Sequence, residues 1–234
     1  WRDYSYQNYF SWPNDYKVLW QLRYNGTHRL YRWGNLGDTR RTARTIDFCG
    51  AEGVCLEPSM AYYPKNDYMH LPGSSHTYGW GWQRDWAWYE LWGRLMYDPV
   101  PSDEVFLQHF EQRFGLEQGR YALTGLDSAS HIIPWIYRYH CLGPDHRSMA
   151  PEYEMGGDLA EFAELSPLDT FVMKSPSESA LCDLEGTCDA RLGADQFATR
   201  LLLIASRTEQ LAANLDSVKG TNPELDCLSL DFRA

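Results

Sequence analysis

Three side chains in the first half of the sequence are placed to move protons. Glu57 ends the short apolar run Gly53-Val54-Cys55-Leu56 and is followed by Pro58. His28 comes just after an Asn25-Gly26 turn, and Asp85 follows a stretch dense in Trp, Tyr, His and Gly. A carboxyl at the C-terminal end of a buried strand stands where barrel enzymes carry their reacting groups. Two carboxyls suit cleavage of a glycosidic bond, one protonating the leaving oxygen while the other attacks or activates water. Glu57 is therefore the first candidate acid and Asp85 its candidate partner. His28 can transfer a proton or bind a hydroxyl. Each also has a structural account: a strand-end salt bridge for Glu57, a helix-dipole contact for Asp85, and a hydrogen-bonded strand-end ring for His28.

The surrounding residues favour a ligand with apolar faces and polar edges. Nine of the ten tryptophans fall within the first 92 residues, which is more ring surface than a core of this size calls for. The segment 59–82 gathers Tyr62, Tyr63, His70, His76, Tyr78, Trp80 and Trp82. Glycines on either side of Trp80 and before Trp82 give those rings room and little packing. Such rings stack on the C–H face of a sugar; the competing account is a hydrophobic plug that packs the loop down. Arg23, Arg32 and Arg84 lie among the rings and offer forked donors for a sugar carboxylate, or for nearby Asp and Glu.

Charge and composition narrow the partner. A net charge of −11 would repel a phosphate backbone, so nucleic acid is not the expected ligand. No apolar run approaches membrane-spanning length. The six cysteines match no zinc or redox spacing, and Cys182–Cys188, bracketing a Gly-containing turn, is the pair expected to be bridged. His140 to Arg147 with Glu152 and Glu154 is a second polar cluster, but its spacing matches no metal box. Neither metal nor cofactor is expected. Asn25-Gly26-Thr27 is formally a glycosylation sequon, discounted because a barrel strand is expected to end there.

These groups need a scaffold. Tyr16 to Tyr24 reads as a strand and Thr27 to Trp33 as a second. Asp38 is the expected N-cap of a helix reaching Cys49, with Thr42, Ala43, Ile46 and Cys49 on one face and Gly50 as its stop. Gly53 to Pro58 is a short buried strand. Strand, helix, strand with short links predicts a βαβ unit and a parallel sheet. A helix is expected from Arg84 to Tyr97, stopped before Asp98-Pro99. Ser102 caps the next, with Val105, Phe106, Phe110 and Phe114 inward and Gly115 as its end. A third helical stretch covers 121–133. Asp195 to Leu215 is the strongest helix, with Phe197, Leu201, Ile204, Ala205, Leu211 and Leu215 at helical spacing. Composition shifts near residue 100, which divides the chain into 1–100 and 101–234. The expected fold class is α/β followed by all-α.

Trp92-Gly93-Arg94-Leu95-Met96-Tyr97-Asp98-Pro99, followed by a short acidic helix, resembles a segment of α-glucuronidase-type glycoside hydrolases, of the family 67 and 115 type. Leu22 to Trp33 is similar to a late barrel strand of such proteins. The resemblance covers roughly residues 15–115. It implies the C-terminal part of a (β/α) TIM-like barrel over 1–100 with an aromatic substrate loop, then a helical domain over 101–234. It further implies a hydrolase acting on uronic-acid-containing glycans, in a secreted or periplasmic setting. The motif itself reads as architecture. Arg94 would bond the last carbonyls of its helix, Gly93 would permit close helix approach, and Pro99 would end the helix.

The expected protein is thus a carbohydrate-active enzyme, or a processed part of one, since the sequence opens at Trp1 without an initiator Met. Its partners would be a poly- or oligosaccharide and the rest of its parent chain or a second copy. One rival is a polysaccharide lyase, with His28 or a tyrosine removing the proton beside a uronate carboxyl. The other is a glycan-binding module without turnover.

Overall fold

The computed structural model describes residues 15, 17–22, 32–47, 50–56, 78, 80–132, 134–135, 167 and 170–234. Strand β1 (Leu19–Leu22) and strand β2 (Gly53–Leu56) pair in parallel, with Leu19 opposite Gly53 and Leu22 opposite Leu56. Helix α1 (Leu36–Arg44) lies between them in sequence, so a βαβ unit forms from the first expected strand; Arg32 and Trp33, the described end of the second expected strand, are in no strand. Its N-cap is Asn35 and not Asp38: the Asn35 side-chain oxygen accepts from the Asp38 N–H at 2.6 Å. Asp38 instead sits in the first turn and pairs with Arg41. The helix also ends at Arg44, five residues before Cys49, and buries Leu36, Thr39 and Ala43.

The other elements among the described residues are helices. A single turn, α2 (Gly81–Arg84), precedes α3 (Trp86–Tyr97), which stops before Asp98-Pro99 as the proline requires. α4 (Asp103–Phe114) buries Phe106, Phe110 and Phe114 and ends at Gly115, whose φ of 90° suits glycine. α5 (Leu116–Ala129) begins at once, earlier than the 121–133 expected, because one left-handed residue suffices to reverse the chain. After residue 170 come α6 (Pro176–Glu185), α7 (Ala194–Asp216) and α8 (Pro223–Arg233). Ser175 and Glu178 close a capping box around α6, with Pro176 at its first position, and Asn222 caps α8 ahead of Pro223. Cys182 and Cys188 are bridged.

Two apolar clusters run across the composition shift at residue 100. One joins Ala87 to Phe110, Leu126, Ala212, Leu228 and Phe232. The other joins Leu36 and Ala43 to Leu91, Leu95 and Phe106. Among the described residues the sheet has two strands and no barrel is formed, so the TIM-like part of the expected fold is not shown.

The Trp92–Pro99 motif is architecture, but by other contacts than its residue types imply. A Cβ on Gly93 would meet nothing within 4 Å, so this glycine serves no close approach. Arg94 pairs with Glu90 one turn back and reaches His109 Nε2 at 3.2 Å, in place of the terminal carbonyls. Close approach is found elsewhere. A Cβ on Gly119 of α5 would lie 2.6 Å from the Glu111 and Phe110 backbone of α4. Backbone cannot step aside as a side chain can. Gly119→Ala should therefore destabilise by on the order of 1–3 kcal/mol in chemical denaturation, despite the ~1 kcal/mol gain in helix propensity; a more stable variant would show that the α4–α5 contact has room to spare.

Candidate functional site

The aromatic residues separate into two populations. Trp33, Trp88 and Trp92 are buried together, with Trp33 and Trp92 stacked at 6.3 Å between ring centroids. Trp88 and Trp92 are one turn apart on α3 and face inward together. These indoles fill the interior, which corrects the expectation that the early aromatic excess serves a ligand throughout. Trp80 and Trp82, in contrast, are 67% and 57% exposed. Their turn is closed by Gln83, whose backbone N–H donates to Trp80 O at 3.0 Å while its side-chain oxygen accepts from Trp80 N–H at 3.0 Å.

The remaining charged residues of the turn point the other way. Arg84 and Asp85 are buried and joined by an ion pair at 3.1 Å. Asp85 stands at the N-cap of α3 without a side-chain capping bond, and Arg84 presents no open fork to solvent. Arg32 is likewise buried, pairing through Nη1 with Asp231 of α8 and donating from Nη2 to the Tyr78 hydroxyl at 2.6 Å. Burial acts most strongly on this guanidinium and would lower its pKa; the Asp231 carboxylate and Tyr78 outweigh it and hold the pKa above its ordinary value. Burial pushes the Tyr78 hydroxyl up, against the opposing pull of Arg32.

Of the expected site residues, the structure brings Arg32 beside Tyr78, and Trp80 and Trp82 onto one turn. Glu57, His28, Arg23, Tyr62, Tyr63 and His70 lie outside the described residues, as do the sequon and the 140–154 cluster. Glu57 and Arg23 each follow directly on a strand end, and those ends, Leu56 and Leu22, are paired. Among the described residues, the His, Cys, Asp and Glu group close enough to hold an ion is Cys182, Asp183 and Cys188, and both sulfurs are spent on the disulfide. No helix among the described residues is long and apolar enough to cross a membrane.

A polar cluster that the sequence does not announce lies at the start of α1. Asn35, fully buried, donates from Nδ2 to His131 Nε2 at 2.7 Å. Asp127 Oδ1 accepts the Leu36 N–H at 3.0 Å, and Ser130 Oγ accepts the Gly34 N–H at 2.8 Å. Asp127 and Ser130 thus accept backbone N–H groups at and just before the start of α1, and His131 holds the side chain of its capping residue, Asn35. The local signal was Asn35 just before a helical run; no signal marks its partners some ninety residues on. A similar case is Glu224 of α8, whose carboxylate accepts from Trp86 Nε1 and, at 2.8 Å, from Arg113 Nη2.

No family model matches the chain, and no curated protein matches it by sequence. Its fold is nonetheless one found within a glycoside hydrolase. A solved structure described as a GH138 enzyme targeting pectin rhamnogalacturonan II superimposes with a TM-score of 0.72 over 93% of this chain at 14% identity. The chain spans 28% of that protein's length. The neighbour is a family 138 enzyme, where the Trp92–Pro99 motif pointed to the family 67 and 115 type.

Burial raises the Asp127 pKa above its ordinary 3.8, against the Leu36 N–H and His131, which lower it. A carboxyl raised on folding favours the protonated native state, so its contribution is present below 3.8 and is lost as pH rises through the folded value. Asp127→Asn keeps an oxygen for Leu36 without the charge. It should melt above the wild type at pH 7, and the difference should close as pH falls toward 3.8. Asp127→Ala, which leaves the Leu36 N–H without its acceptor, should lose about 1–2 kcal/mol at both pH values. Melting of the Asn variant below the wild type at pH 7 would show that the charge is needed.

Proposed function

We propose that this chain is part of a glycoside hydrolase acting on a uronic-acid-containing polysaccharide, with Trp80 and Trp82 as the platform on which sugar rings stack. One observation carries this reading: two indoles are held in solvent by a closed turn while the charged residues beside them are turned inward. Exposed indoles at adjacent alternate positions are costly unless something covers them, and a sugar's C–H face with its polar rim is a suitable cover. The fold shared with a pectin-targeting enzyme supports the same class of substrate.

In this reading Glu57, the residue after the paired end of β2, supplies one of the two carboxyls, and Arg23, after the paired end of β1, meets a substrate carboxylate. His28 contacts a hydroxyl or relays a proton, and Tyr62, Tyr63 and His70 extend the stacking surface. Asp85, buried on Arg84, holds the foot of the turn, so the second carboxyl is drawn from elsewhere in the parent protein. The polysaccharide enzyme works outside the cytoplasm, where the Cys182–Cys188 bridge would persist.

The test is binding and turnover on a panel of pectic polysaccharides, rhamnogalacturonan II and polygalacturonate included. Trp80→Ala and Trp82→Ala should each weaken binding about 3–10-fold, the worth of one ring contact, without changing the melting temperature. New reducing ends without ultraviolet absorbance mark hydrolysis. An absorbing unsaturated product would replace hydrolase by lyase, and binding without any product would make the chain a glycan-binding module. Unchanged affinity in both variants would remove the platform.

A further inference from the structure

The turn that carries Trp80 and Trp82 cannot orient itself. α2 has four residues, far short of the length at which a helix holds its own shape in water. The bonds between Trp80 and Gln83 close the turn internally, but they do not fix it against the rest of the protein. Besides the buried Arg84–Asp85 pair at its foot, the turn is flanked on each side by bonds that lead to the same helix.

On the near side, the Tyr78 hydroxyl accepts from Arg32 Nη2 at 2.6 Å, and Arg32 is paired through Nη1 with Asp231. On the far side, Trp86 donates its indole N–H to Glu224 Oε1. Arg113 lies over the Trp86 ring at 4.5 Å and donates to Glu224 Oε2 from Nε at 3.0 Å and Nη2 at 2.8 Å. Glu224 and Asp231 are seven residues apart on α8, two helical turns, and therefore lie along one face. The side chains of Glu224 and Asp231 are 10% and 20% exposed, so both bonds are made largely out of water, where they are firmer than at the surface. Leu225, Leu228 and Phe232 of the same helix are buried in the main apolar cluster, which fixes α8 to the bundle.

We propose that α8 is a clasp for the aromatic turn, with Glu224 and Asp231 as positioning residues that set where Trp80 and Trp82 stand. Its consequence for glycan affinity rests on the function proposed above; its mechanical part does not. Neither carboxylate need touch a ligand. Each acts through a partner at one end of the turn, Asp231 through Arg32 and Tyr78, Glu224 through Trp86.

Amide hydrogen exchange over residues 80–86 tests the clasp directly in Glu224→Gln and Asp231→Asn, variants that keep side-chain shape. The control is Phe197→Leu, which loosens a separate cluster with Met173 and so lowers global stability without touching the turn. Measured well below every melting temperature, exchange over 80–86 should rise about tenfold in either carboxylate variant and stay at the wild-type rate in the control. Affinity for oligogalacturonides should fall about fivefold in the same two variants and not in the control. Wild-type exchange in both carboxylate variants overturns the clasp. Faster exchange with undiminished affinity overturns the positioning role. If the wild type binds no oligogalacturonide, the functional reading fails and the exchange result alone decides the clasp.

Discussion

A guanidinium removed from water must take a carboxylate with it, and in this protein that requirement joins the two ends of the described chain. Arg32 precedes α1, and Asp231 lies in the last helix, 199 residues away. Losing Asp231 leaves the buried Arg32 guanidinium without its counterion, at a cost of about 3–5 kcal/mol. The pair therefore works less as a source of net stability than as a rule about geometry: α8 has to pack where Arg32 is. Once it does, Leu225, Leu228 and Phe232 enter the bundle and Glu224 meets Trp86 and Arg113. The aromatic turn is placed as a consequence.

The same constraint explains why an unusually aromatic segment does two jobs. On α3, Trp88 and Trp92 follow the helical repeat and close over Trp33, where their size fills space that aliphatic side chains would leave open. In the turn before α3, glycines interrupt that repeat and the indoles of Trp80 and Trp82 face solvent. Residue type is identical in the two settings. What differs is whether a regular helix repeats the side chain toward a neighbour.

This is also where the sequence was and was not legible. The βαβ unit could be read from strands punctuated by Gly and Pro, and α3 and α4 from Asp98-Pro99 and Gly115, because these signals act within a few residues. The Cys182–Cys188 bridge was legible for the same reason: Gly186, with φ 66°, turns the chain between them. α6 and α8 carry start signals in Ser175-Pro176-Ser177-Glu178 and Asn222-Pro223-Glu224, but their apolar repeats are weak, so periodicity alone does not reveal them. The start of α1 was misplaced by three residues since Asn35 and Asp38 are both good caps, and only the position of Asp127 and His131 favours the first. For Arg32 the residue types left open a substrate carboxylate or an Asp or Glu of the protein, and the structure shows the second. Nothing local told of Asp231, and a pairing across 199 residues leaves no periodic trace.

Net charge sharpens the functional reading. A chain at −11 repels polyuronates at long range, so any attraction to one has to be short-ranged and built from a few groups. The described arginines near the turn are already committed: Arg32 to Asp231 and Tyr78, Arg84 to Asp85, Arg113 to Glu224. Their charge organises the protein and is largely cancelled before a substrate arrives. Contact through ring faces escapes this difficulty, because stacking on C–H groups needs no counter-charge and is little weakened by salt. On the function proposed above, exposed indoles are the grip that electrostatics leaves available to an acidic protein, and the clasp proposed for α8 is what would offer both of them together.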